Sequence, residues 1–234
     1  MRSYMVENEY PDFLEHLKYI IATGNIASGM LINAVVDLSH WNRSINFKLA
    51  KEDGILGVIH KATQGLEYVD PKYAERRKAA EEEELLWGAY HFGVGEKSGK
   101  DQADHFLETI GDSSSILLAL DIEENKDGKS ITAKQAEDFV NRVYVVTGRL
   151  PLIYGNAYFL KDFATPILTE CPLWISRWGA EPRLPIGWRN WTLWQYTDGK
   201  NGKKPYSVEG VGPCDRNKFN GTLEELKDFW VSGC

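Results

Sequence analysis

The sequence predicts an α/β protein, a single barrel of five βα units followed by three further strands. Three observations carry that prediction. Apolar runs alternate with amphipathic segments five times between Ile32 and Gly155. The rhythm then gives way to three apolar runs joined by loops rich in Gly, Pro, Asn and Lys. No change of composition marks an interdomain linker anywhere in the 234 residues. Parallel strands need a crossover helix between them, so a repeated strand–helix rhythm implies a parallel sheet. Hydrophobic residues at 43% and charged residues at 26% exclude a disordered, collagen-like or coiled-coil chain.

Strands are expected at Ile32–Ser39, Gly57–Ala62, Trp87–Phe92, Ile116–Glu123 and Leu150–Gly155. Helices are expected between them near Phe47–Asp53, Pro71–Leu85, Asp101–Ile110 and Ala133–Thr147. Asp70-Pro71 reads as an N-cap followed by a proline whose missing N–H is no loss at the first helical position. Thr132 to Gln135 and Thr222 to Glu225 match the capping box, in which two orphan amides are satisfied reciprocally. Gly148 is a C-terminal stop. Ala136, Phe139, Val140, Val143 and Tyr144 form the stripe by which a helix packs on a sheet. Pro172–Trp178, Trp191–Thr197 and Val208–Asp215 supply the last three strands.

Residues 1–31 are expected to form a helical extension, with Phe13, Leu14, Leu17, Ile20 and Ile21 at helical spacing. Residues 32–234 form the barrel domain. Glu7, Glu9, Asp12 and Glu15 stand where a signal peptide would be positive. The apolar stretch Ile20–Ile32 is interrupted by Thr23, Gly24, Asn25, Ser28 and Gly29, so neither a recognisable signal peptide nor a membrane span is expected. Twenty-seven basic against thirty-four acidic residues give a net charge of −7, which argues against a nucleic-acid partner. Cys171, Cys214 and Cys234 are too few and too scattered for a disulfide framework, and without a CxxC pair they do not suggest zinc.

Chemistry concentrates on carboxylates. In parallel barrels the functional residues gather at the C-terminal ends of the strands. Asp37 ends the first expected strand, and Asp121 and Glu123 end the fourth. Residues two apart on a strand face the same side, so Asp121 and Glu123 project together into the barrel mouth. Like-charge repulsion and desolvation then hold a proton on one of them at higher pH than on a free carboxyl. General acid catalysis at a glycosidic bond uses such a pair. Clustered acids are also metal ligands, but no His residue stands at ligand spacing, so no metal and no cofactor is expected. Trp174, Trp178, Trp188, Trp191 and Trp194 lie close together in the sequence. That density suits a sugar-binding groove, with two or three of the five in it and the rest in the core.

Eight segments occur in a distinctive order: Asp37-Leu-Ser-His-Trp-Asn, Lys61-Ala-Thr-Gln-Gly, Tyr68-Val-Asp-Pro-Lys72, Gly88-Ala-Tyr-His-Phe92, Leu120-Asp-Ile-Glu123, Leu173-Trp-Ile-Ser-Arg-Trp178, Trp194-Gln-Tyr-Thr197 and Asp215-Arg-Asn-Lys-Phe-Asn-Gly221. Together, over about residues 33 to 230, they resemble the family 25 glycoside hydrolases, the lysozymes of bacteria and their phages. The resemblance implies a flattened TIM-like barrel and hydrolysis of the β-1,4 bond from N-acetylmuramic acid to N-acetylglucosamine in peptidoglycan. It makes Glu123 the general acid and Asp121 its partner, with Asp37 and Asp215 completing an acidic cluster. Tyr90, Tyr154, Trp174 and Trp194 are expected to bind substrate. Attack through the substrate's own acetamido group, with Asp121 orienting its N–H, is favoured over attack by an activated water.

Arg43 and Gln64 depart from the family pattern, which often has Gly and Glu at these places. Two other readings stay open at this level: another barrel glycosidase such as a chitinase, or a non-catalytic peptidoglycan-binding module. A monomer is expected, acting on glycan strands in the periplasm or at the cell wall after release or secretion. A phage endolysin and a secreted antibacterial effector both fit, and an effector would require an immunity protein as partner.

Overall fold

The computed structural model describes residues 26–27 and 31–232. Its strands are β1 (Ile26–Ala27), β2 (Leu31–Leu38), β3 (Gly57–Gln64), β4 (Tyr68–Val69), β5 (Leu86–Phe92), β6 (Leu117–Asp121), β7 (Leu152–Asn156), β8 (Leu173–Ser176), β9 (Leu193–Asp198), β10 (Ser207–Val208), β11 (Gly212–Pro213) and β12 (Asp215–Asn220). The helices are α1 (Phe47–Glu52), α2 (Tyr73–Glu82), α3 (Gly99–Ile110), α4 (Ala133–Thr147), α5 (Pro166–Glu170) and α6 (Leu223–Ser232). Seven parallel strands run in the order β2-β3-β5-β6-β7-β8-β9, and β12 closes the ring by pairing antiparallel with both β9 and β2. The expected α/β barrel is thus present, with a helical connection after each of its first five strands.

The pleat sorts each strand's residues into two layers. Val35, Ile59, Leu117, Ala119, Leu152, Tyr154, Trp174, Leu193 and Phe219 fill the barrel interior. Their neighbours Val36, Val58, Leu118, Leu120, Ile153, Leu173, Ile175, Trp194 and Tyr196 face outward, in one cluster with Phe106, Ile110, Phe139, Val140 and Val143 of the surrounding helices. The C-terminal helix α6 stoppers the bottom of the barrel. Its Leu226 and Trp230 are fully buried in the interior cluster, and the Trp230 indole N–H donates to the carbonyl of Trp87 at 2.7 Å. Gly57, at the start of β3, makes room for that ring, because a Cβ there would lie 2.6 Å from it.

Local signals read well. Thr132 and Gln135 form the full capping box of α4, and Gly148 ends the helix in the left-handed conformation. Thr222 and Glu225 exchange the same pair of bonds before α6. Four expectations are corrected. Asp70 does not cap α2, whose N-cap is Lys72; its carboxylate is buried and accepts from the backbone N–H of His40 at 3.0 Å and from that of Lys72 at 2.9 Å. Tyr144 is half exposed instead of joining the stripe of α4. The last barrel strand is Asp215–Asn220, not Val208–Asp215, since Gly210 and Gly212 take positive φ and fold residues 207–213 into a small hairpin. Ile26 and Ala27, assigned to a helical extension, pair as a strand with Ile32 and Leu31. The helix expected across Phe13–Ile21 lies outside the described residues, and the expected boundary at 31/32 falls inside β2.

Candidate active site

The mouth is built by register. Asp37 lies two residues after the interior Val35, Asp121 two after Ala119, Tyr154 two after Leu152 and Gln195 two after Leu193, so the pleat points all four inward above the apolar plug. Asp215 reaches the same level by a different route. It begins β12, but β12 is antiparallel, so its first residue lies at the end where its neighbours finish. The pairings Asp215 with Asp37 and Asp215 with Asp198 fix it there.

A cavity of about 250 Å³ is lined by Asp37, Asp121, Glu123 and Asp215 together with Tyr90, Tyr154, Trp174 and Trp178. A larger cavity of about 670 Å³ adjoins it, bounded by His40, Trp41, Lys61, Tyr68 and the loop after Glu123. Glu123 lines both. Of the eight residues expected at the site, seven therefore meet in one cavity, and Trp194 does not. It is buried in the outer layer, where its indole N–H donates to the carbonyl of Arg177 at 2.8 Å. Shifting by one residue along a strand reverses the face, and its neighbour Gln195 holds the inward place.

Gln195 went unnoticed in the sequence, and it orders the site. Its Oε1 accepts from the Tyr154 hydroxyl at 2.9 Å, the Trp178 indole at 3.1 Å and Ser176 Oγ at 3.2 Å. Those three donors fix the amide so that its Nε2 donates to both oxygens of Asp37, each at 3.1 Å. Asn217 Nδ2 donates to Asp37 Oδ2 at 2.8 Å and is held in turn by the Trp174 indole, which donates to its Oδ1 at 2.7 Å. The inward parity of Leu193 and Gln195 was the available signal. Its use required knowing which face of the strand carries the acids.

Burial and mutual repulsion govern the protons. Asp37 is pushed up to about 6 by burial, against the pull of Asn217 and Gln195. Asp215 is raised to about 9, first by burial and then by the charge of Asp37. At neutral pH Asp215 thus keeps its proton and donates it in a hydrogen bond to the Asp37 carboxylate. Burial, then the charge of Glu123, raises Asp121 well above the ordinary carboxylate range. Glu123 is raised by burial and by Asp37, while Lys61 and Lys126 pull it back. The Oδ1 of Asp121 is buried with no hydrogen-bond partner among the described residues. Burial also raises Tyr90 and Tyr154 well above 10, so both stay phenols. Among the described residues no group of three or more His, Cys, Asp or Glu is arranged to hold a metal ion.

A closed barrel with buried acids at its mouth and aromatic walls defines the class: a glycoside hydrolase. Comparison with known proteins gives the family. The family model of glycosyl hydrolases family 25 matches residues 36–204, and the chain belongs to that family. It is 33% identical to Lysozyme M1 of Streptomyces globisporus over 208 residues, which are 82% of this chain and 69% of the relative. It is 28% identical to the N,O-diacetylmuramidase of Chalaropsis sp, over 82% of this chain and 95% of the relative. The crystal structure of the bacterial lysozyme from Streptomyces coelicolor superposes with a TM-score of 0.78 at 32% identity, covering 89% of this chain and 100% of the other.

Proposed function

We propose that the protein is a lysozyme of the N-acetylmuramidase type, hydrolysing the β-1,4 bond between N-acetylmuramic acid and N-acetylglucosamine in peptidoglycan. The observation that carries this reading is the position of Glu123, a carboxyl of raised proton affinity shared by the acid-lined cavity and the larger cavity beside it. A glycan strand lying across both cavities presents a glycosidic oxygen to Glu123. Glu123 then acts as general acid, giving its proton to the leaving oxygen. Asp121 is its partner. A buried carboxyl oxygen without a bond is an open acceptor for the N–H of the substrate's acetamido group, whose carbonyl oxygen attacks the anomeric carbon. Asp37 and Asp215 hold one proton between them and keep the floor of the cavity negative beneath the developing cation. Tyr90, Tyr154 and Trp174 wall the sugar site, and Trp178 replaces Trp194 as its fourth aromatic.

Peptidoglycan lies outside the cytoplasmic membrane, so this reading calls for release or secretion, and an effector role would add an immunity protein in the producing cell. Among the described residues no helix is long and apolar enough to cross a membrane. The test is product chemistry. Borohydride reduction of a digest, followed by acid hydrolysis, should convert muramic acid to muramitol and leave glucosamine unreduced. Reduced glucosamine would overturn the substrate assignment. Proton NMR of a short glycan digest, recorded before mutarotation, should show the β-anomer; an α-anomer would overturn the acetamido route alone.

A further inference from the structure

Beside the acids stands a cation whose bonding is unusual. Lys61 Nζ donates to Gln64 Oε1 at 2.7 Å and lies 5.0 Å from the ring centroid of Phe92 and 5.4 Å from that of Tyr68. Among the described residues no carboxylate forms an ion pair with it. The strand register leads from it to the acids, since Gln64 pairs with Phe92 and Phe92 pairs with Asp121. A glutamate at position 64 would give the ammonium a partner of opposite charge. The amide satisfies one of its donors and leaves the charge whole, while the two rings shield it from water and favour the cation electrostatically.

We propose that Lys61 is a positioning residue of this active site, the counter-charge that keeps Glu123 a strong enough proton donor, and that Gln64 is the neutral partner that preserves this charge. The inference rests on Glu123 being the general acid. In the smaller cavity Glu123 shares space with Asp37, Asp121, Asp198 and Asp215 and with the phenols Tyr90 and Tyr154. In the larger one it shares space with His40, Tyr68, Glu124, Lys126 and Asp127 as well as Lys61. Burial and the charge of Asp37 hold the proton on Glu123, and an acid that holds its proton too firmly is a poor donor at the working pH. When Glu123 gives its proton to the leaving oxygen it becomes a carboxylate. The ammonium of Lys61 stabilises that new negative charge without giving up a proton itself. Lys126 is exposed and screened by solvent, whereas Lys61 is half-buried, so Lys61 has the stronger effect on both Glu123 and Asp121.

The full chain carrying Lys61→Met, Lys61→Arg or Gln64→Glu tests this. Two readouts are needed: the pH profile of kcat/KM on peptidoglycan, and a carbon NMR titration of the Glu123 carboxyl. In Lys61→Met the alkaline limb and the Glu123 titration should both move up by roughly one pH unit, with kcat lowered and KM little changed. Lys61→Arg should restore both toward wild type. Gln64→Glu should move them upward by a smaller step, and it carries the test alone if Lys61→Met does not fold. A Glu123 titration unmoved in Gln64→Glu and in any folded Lys61→Met overturns the inference. The failure of the underlying reading looks different: Glu123→Gln would keep wild-type turnover, whatever the NMR titration shows.

Discussion

Replacing Asp215 by Asn should make the protein more stable while it loses activity, and the gain should depend on pH. The Asp215 carboxyl titrates at about 9 in the fold against an ordinary 3.8. Between those values the native state holds a proton that the unfolded chain has released, so stability falls as pH rises from about 4 to about 9. At pH 7 the interval already crossed is roughly three pH units, and at 1.36 kcal/mol for each the ceiling is about 4 kcal/mol. Water entering an open cavity lowers this, and about 2 kcal/mol is the expected gain, equivalent to roughly 4–8 °C in Tm for a chain of this length. Asn has the shape of a protonated Asp and keeps a donor for Asp37, so the substitution removes the titration with little change in packing. Thermal unfolding of both proteins at pH 4 and pH 7.5 is the assay. A gain at pH 7.5 that vanishes at pH 4 is expected. An equal gain at both values, or a loss at pH 7.5, would refute the reasoning, because the stability change would then have nothing to do with a proton.

Three other outcomes follow from the same geometry. Glu123→Gln should lower peptidoglycan turnover by about 10²–10⁴-fold while its near-ultraviolet circular dichroism stays native; clearing of cell walls at the wild-type rate would show that another group is the acid. Asp121 is raised well above the carboxylate range by burial and by the charge of Glu123, so it still holds its proton while Glu123 titrates. Asp121→Asn should therefore lower turnover with the alkaline limb of the pH–rate profile left near its wild-type place; a limb moved to lower pH would show that Asp121 is ionised beside Glu123. Trp230→Ala empties the stopper of the barrel and should cost about 3–5 kcal/mol in urea unfolding, and a cost under 1 kcal/mol would mean that α6 does not close the bottom.

Much of the barrel was legible because its signals are local. The capping boxes at Thr132 and Thr222 and the stop at Gly148 use partners within three or four residues, and the structure forms all three. The rhythm of apolar runs and amphipathic segments fixed the strand count, since only parallel strands require so regular a crossover. Asp121 was recognisable as inward-facing because strand parity depends only on spacing; Glu123, expected on the same strand, lies two residues beyond its end at Asp121 and still lines the same cavity.

Long-range partners decided the rest. Asp70 has the sequence environment of a helix cap, yet one oxygen of its carboxylate goes to His40, thirty residues away in the chain, and the other to Lys72, ahead of the helix. Trp194 and Gln195 compete for one inward position, and parity alone leaves the inward face open until the neighbouring strands supply the acids that Gln195 must meet. Residues 208 to 215 read as one strand, but two left-handed glycines break the run and shift the closing strand to Asp215. That shift matters most. The sequence determined which residues are acidic and where the parallel strands run, because composition and periodicity are properties of neighbours. The tertiary structure alone decided that Asp215 faces Asp37 across an antiparallel pairing, and hence that the two must share a proton, because repulsion between charges is set by distance in space and not by separation along the chain.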